Sequence, residues 1–179
     1  MAGKVILGRM AQNRARAWRY IVSLGLLLVV SASLQTTVLA RWRLFGVIPD
    51  LTFAVVIAVA CFSGRETGAI LGIASGFLTE ALGAQGVSIL PVVWFLCGYL
   101  CGHLASRLPG GFPTYLVVAG ASLPVHALTT LFYVAVTYRS LHLGATLLRV
   151  ILPETGALIL VFLALYFPLK FLCARLGKE

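Results

Sequence analysis

Acidic residues are the scarcest chemistry in this 179-residue chain, with five Asp and Glu against 14 Lys and Arg, and charged residues make up only 11% of it. A soluble domain carries about 25% charged residues. The chain therefore lacks the polar surface that a soluble enzyme, a secreted disulfide scaffold or a disordered segment requires. Histidine is almost as sparse: His103, His126 and His142 fall in three different segments. The four cysteines (Cys61, Cys97, Cys101, Cys173) form no CxxC pair and lie in or beside apolar runs. Cys97 and Cys101 share a helix face with His103 close by, and apolar packing is preferred there to a metal site. There is no nucleophile elbow, HExxH, phosphate loop or metal-ligand spacing. The acids are too few to build the metal cluster of a phospholipid-processing enzyme. The chain reads as a non-enzyme without a cofactor.

What fills the sequence instead is apolar. Hydrophobic residues are 60% of the chain and mean hydropathy is +1.01. This composition predicts an all-α, polytopic membrane helical bundle. Spans are expected at Tyr20–Ala40, Leu51–Ser63, Thr67–Gly83, Val87–Ser106, Thr114–Tyr138 and Val150–Leu169, giving six transmembrane helices, with five as the alternative. The second is short, and is expected to be tilted, buried or paired with the third in a re-entrant hairpin. The chain divides into a basic N-terminal arm (1–19), the membrane domain (20–169) and a basic tail (170–179). The first apolar run is span-length and is read as an uncleaved helix, although Val38-Leu39-Ala40 also resembles a signal cleavage site.

The net charge of +9 would suggest nucleic acid in a soluble domain. Here the basic residues flank apolar runs, so they are assigned to topology and contact with anionic lipid, with no nucleic-acid partner. Placing both termini in the cytoplasm leaves ten Lys and Arg inside and four (Arg41, Arg43, Arg139, Arg149) outside. On that topology Asp50, Glu80 and Glu154 lie toward the outer leaflet. Each is costly in lipid and needs a partner, so an outer cluster pairing them with Arg41 and Arg43 is expected. Asp50, after Pro49 and before an apolar run, also fits a helix N-cap. His126, beside Pro124, is expected to be neutral and hydrogen-bonded.

The third span carries glycines at 64, 68, 72 and 76, with Glu80 continuing the spacing. A step of four drifts around the helix, so the whole row is not expected to face one partner. Ala69, Gly72, Gly76, Thr79, Glu80 and Gly83 share one face for close packing or partner binding, and Ile70, Leu71, Ala74, Phe77, Leu78, Ala81 and Leu82 form the other. Gly98 and Gly102 repeat the small-residue spacing in span four.

Several pieces then occur in a specific order: Leu34-Gln35-Thr36-Thr37; Gly46-Val47-Ile48-Pro49-Asp50-Leu51; Gly64-Arg65-Glu66-Thr67-Gly68; the run from Gly72 through Ser75-Gly76-Phe77-Leu78-Thr79-Glu80 with Gly83 and Gly86; and Phe95-Leu96-Cys97-Gly98-Tyr99-Leu100-Cys101-Gly102. Together they resemble the rod shape-determining MreD family. One departure is that the family commonly has an aspartate where this chain has Glu80. The resemblance implies a bacterial inner-membrane component of the elongation complex, binding MreC and working with MreB, RodZ, the glycosyltransferase RodA and its class B transpeptidase partner to direct side-wall peptidoglycan synthesis. It also implies a bundle similar to the substrate-binding subunit of energy-coupling-factor transporters. A small-molecule (vitamin-type) transport subunit, with a pocket lined by Trp42, Asp50, Glu80 and Glu154, is the alternative function.

Overall fold

The segment Leu51–Ser63 is apolar on every side, and a helix of that kind belongs inside a fold rather than at its surface. In the computed structural model, which describes residues 2–42, 46–83, 89–138 and 146–178, it is the central post. Helix α1 (Ala2–Leu34) continues through a π-helical stretch (Gln35–Leu39) into a last turn at Ala40–Trp42. Then come α2 (Leu51–Ser63), α3 (Arg65–Gly83), α4 (Leu90–Arg107) and α5 (Phe112–Tyr138), and a π-helical turn at Leu147–Ile151 opens α6 (Leu152–Lys178). Among the described residues there is no strand. Residues 2–19 of the basic arm are helical and continuous with the first span in α1.

Among the described residues, three helical stretches are long and apolar enough to cross a membrane: Trp18–Leu39, Phe112–Val136 and Leu147–Arg175. The protein is therefore read as a helical membrane protein. At 13 residues, α2 is about 20 Å long, shorter than a hydrocarbon core of about 30 Å. It tolerates that length because the other helices cover most of it. Every residue from Thr52 to Ala60 is buried, and all five other helices pack on it. Leu24 and Leu28 of α1, Trp94 and Cys97 of α4, Val118 of α5, and Leu158 and Phe162 of α6 complete the core.

The N-terminus of α2 is fully capped. The Leu51 N–H donates to the Pro49 carbonyl, the Phe53 N–H to Asp50 Oδ1 at 3.0 Å, and the Thr52 N–H and hydroxyl both donate to Gln35 Oε1 at 3.1 and 2.9 Å. Irregular backbone before α2 thus has its donors satisfied from α1 and from its own side chain, as a membrane interior requires. At the other end Gly64, with φ +92°, turns the chain into α3 in a single residue. That conformation strains any residue with a Cβ.

Helices α3 and α4 run antiparallel with their backbones in contact. Added methyl groups at Gly68, Gly76 and Gly102 would fall 2.5 Å from the Ala60 side chain, 2.5 Å from Pro91 Cα and 2.6 Å from Arg65 Cα, while at Gly72 and Gly98 they would meet the carbonyls of Trp94 and Gly68. Gly68, Gly72 and Gly76 all meet α4, but Gly68 also meets Ala60 of α2 and nothing lies within 4 Å of the Cβ position of Gly64, so the row as a whole does not face one partner. A row of i, i+4 residues is inclined to its helix axis by about 26°, and a second helix laid along that incline stays with it. Leu71, expected on the lipid side, is buried, because α3 is wedged between α2 and α4 and hides a wider arc. Ile70, Ile73, Phe77 and Leu82 remain exposed.

Candidate functional site

The end of the bundle where α2 and α4 begin holds most of the buried polar chemistry. His126 of α5 lies between two carboxylates. Its Nε2 is 3.6 Å from Asp50 Oδ2, and its Nδ1 is 4.0 Å from Glu154 Oε1 at the start of α6. Its ring rests against Phe53, centroid to centroid 4.8 Å. Asp50 thus does two things: Oδ1 caps α2 and Oδ2 faces the imidazole. Thr130, one turn after His126, reaches Glu154.

These groups border a cavity of about 370 Å³. Gln35 and Ile48 close it from α1 and the loop before α2, Thr79 and Leu90 from the α3–α4 end, and Trp94 from α4. Along α5 the wall is His126, Thr129, Thr130 and Tyr133, a stripe at i, i+3, i+4 and i+7 that occupies one helix face. A second cavity of about 280 Å³ shares Gln35, Ile48, Thr79 and Leu90 and is bordered by Glu80.

Glu80 stands apart from the histidine. Its Oε1 accepts from the Leu90 N–H at 2.8 Å and from the Tyr133 hydroxyl at 3.3 Å. It thereby caps α4 from α3, which is needed because Ile89 at the cap position has no side chain that can do so. The carboxylate is also well placed against the positive end of the α4 dipole. Among the described residues its other oxygen, Oε2, is buried without a hydrogen-bond partner, as is the Trp94 Nε1–H.

The expected acid–arginine cluster takes a different form. Asp50 and Glu154 come together, but around His126. Arg41 and Arg149 are exposed, and no ion pair joins them to Asp50, Glu80 or Glu154 among the described residues. The physical reason is that water and lipid headgroups solvate a guanidinium outside the bundle better than a buried pair does. Arg43 and Arg139 lie outside the described residues, as does the expected start of the fourth span at Val87. Gly72, Gly76, Gly98 and Gly102 are brought together in the α3–α4 contact. Gly83 ends α3, and its surroundings are not among those described.

The sequence reading missed Gln35, Trp94, Thr129, Thr130 and Tyr133. The α5 stripe was readable as polar residues at helical spacing from His126. Gln35 was marked only as part of the Leu34-Gln35-Thr36-Thr37 piece, because its capping role depends on where α2 begins in space. The Cys97 and Cys101 sulfurs are 4.0 Å apart and the His103 ring stacks on Tyr99 instead, centroids 6.4 Å apart. Among the described residues no group of three His, Cys, Asp or Glu could hold a metal.

Comparison of the sequence with protein-family models and characterised proteins, and of the fold with solved structures, finds no match.

Proposed function

We propose that the protein is a non-enzymatic, six-span component of the bacterial rod elongation complex, an MreD-type partner of MreC in the inner membrane, with both termini cytoplasmic. The observation that carries this reading is that the separate sequence pieces resembling that family are parts of one interlocked core. Gln35 and Asp50 cap α2, Gly68, Gly72 and Gly76 meet Gly98, Trp94 and Pro91, and Glu80 caps α4. Pieces that depend on one another in this way recur together when a fold is kept.

With the glycine faces used inside the bundle, the surfaces left for a partner's helix are the exposed apolar ones, such as Ile70, Ile73 and Phe77 of α3. MreC would pack there, with lipid covering the remainder. Assembly with MreB, RodZ, RodA and the transpeptidase would follow through MreC and the cytoplasmic ends. The test is depletion in the source bacterium together with affinity capture of the tagged chain. Rounded cells and co-recovered MreC are the expected results. Cells that stay cylindrical with normal lateral wall growth would refute the proposal.

The cavity at the α2–α4 end favours one second reading, a substrate-binding subunit of a small-molecule transporter. Its volume and its converging polar groups fall in the range of solute sites. Saturable solute uptake dependent on the protein would support that reading over the first.

A further inference from the structure

We infer that the end of the first helix beyond Leu34 is a hinged gate on the two cavities. The π-helical turn at Gln35–Leu39 is the hinge, and the Gln35 side chain is the latch that holds the gate shut against α2. The inference is independent of whether the bundle serves as a scaffold or as a solute carrier.

The first observation is the local backbone. At the π-helical turn the Ala40 N–H reaches back five residues to the Gln35 carbonyl. Such turns inside α-helices are frequent at functional sites. Hydroxyls at the start of this turn also bond back along the helix. Thr36 donates to the Ala32 and Ser33 carbonyls, and Thr37 donates to the Ser33 carbonyl. Back-bonding of this kind weakens a helix locally and lets it bend. The second observation is packing. Leu24 and Leu28 fix α1 in the core, and Ser31 and Ala32 are still buried. From Gln35 to Leu39 no residue is buried, and Thr36, Thr37 and Val38 are exposed. The core therefore grips the helix up to the π-helical turn and releases it there.

The third observation is what holds the released end. Gln35 Oε1 accepts from the Thr52 N–H and from the Thr52 hydroxyl. Gln35 also borders both cavities. Water entering from either one can take over its two hydrogen bonds, so opening exchanges bonds instead of losing them and the latch is weak. The smaller cavity lies between Gln35 and Thr36 on one side and Thr79, Glu80 and Leu82 of α3 on the other. Movement of the helix end away from α3 uncovers it, and the shared wall at Gln35 and Thr79 then admits the larger one.

The test is thiol access behind the gate. Thr79, which borders both cavities, is changed by Thr79→Cys in the full chain. The protein is placed in nanodiscs of phosphatidylethanolamine and phosphatidylglycerol and treated with a hydrophilic maleimide, with the parent chain supplying the background from its own four cysteines. Labelling is expected to be slow, and about tenfold faster when Gln35→Ala is added, the shift given by a latch of about 1.4 kcal/mol. Thr36→Val with Thr37→Val removes the back-bonding hydroxyls, should slow labelling, and serves if the latch variant fails to fold. Ser31→Cys reports on the gripped part of the helix and should not respond to Gln35→Ala. Labelling of Thr79→Cys as fast as that of a free thiol, an unchanged rate in the folded latch and hinge variants, or equal acceleration at Ser31→Cys would each overturn the inference.

Discussion

Within α3 two styles of packing follow one another. From Gly68 to Gly76 the helix lies against α4 backbone to backbone, with no side chain between them. One turn later, at Thr79 and Glu80, the same two helices are held by a carboxylate that spans to the Leu90 N–H, and cavities lie beside it. The difference shows how one helix pair supports a rigid half and a chemically furnished half. In lipid, where apolar contact gives little preference for protein over solvent, close approach of small residues supplies the attraction. Where the helices part, buried polar groups must be answered one by one.

The comparison is most sharply tested at Gly72. Its Cβ position is occupied by the Trp94 carbonyl, a backbone atom that cannot rotate away. Gly72→Leu should abolish a monodisperse folded peak in detergent, and Gly72→Ala should lower the melting temperature by an amount corresponding to about 1–3 kcal/mol or more. The next effect belongs to the polar half. Glu80→Ala strands the buried Leu90 N–H, at a cost of about 1–3 kcal/mol. Glu80→Gln retains a carbonyl acceptor and should recover most of that loss in the same melt. A glutamine as damaging as the alanine would show that the charge, not the cap, holds this end.

Smaller effects calibrate the scale. Tyr115 of α5 donates its hydroxyl to the Phe162 carbonyl of α6 at 2.8 Å, so Tyr115→Phe should cost about 0.6 kcal/mol, the usual size of such a bond in a membrane protein. Gly120 is a helical glycine with nothing near its Cβ position. Gly120→Ala should be neutral or raise stability by about 0.5–1 kcal/mol. If it destabilised as much as Gly72→Ala, backbone contact would not be the cause of the Gly72 effect.

Much of this architecture was legible in the residues. The shortness of Leu51–Ser63 left a buried helix as one of three alternatives, Pro49-Asp50 announced its start, and the spaced glycines announced a close neighbour. The direction in which a glycine row faces was not legible, because it depends on the inclination of the second helix rather than on the first helix's periodicity. The contact of Asp50 and Glu154 with His126 was missed for a related reason. Counting charges on one side of a membrane pairs Asp50 and Glu154 with Arg41 and Arg43. Only the placement of α5 against α2 reveals that His126, assigned to the middle of a span, is the group they reach. The α5 stripe lay within reach of a sequence reading that extended the helical spacing onward from His126.

The concealment of α2 bears on how the molecule is made. A 13-residue helix that relies on α1 for its first hydrogen bonds and on every other helix for its surroundings has no stable resting place of its own in the bilayer. It can take its final position only after the later helices have been delivered, so the post at the centre of the fold should be among the last parts to settle during biogenesis, although it is among the first to be synthesised.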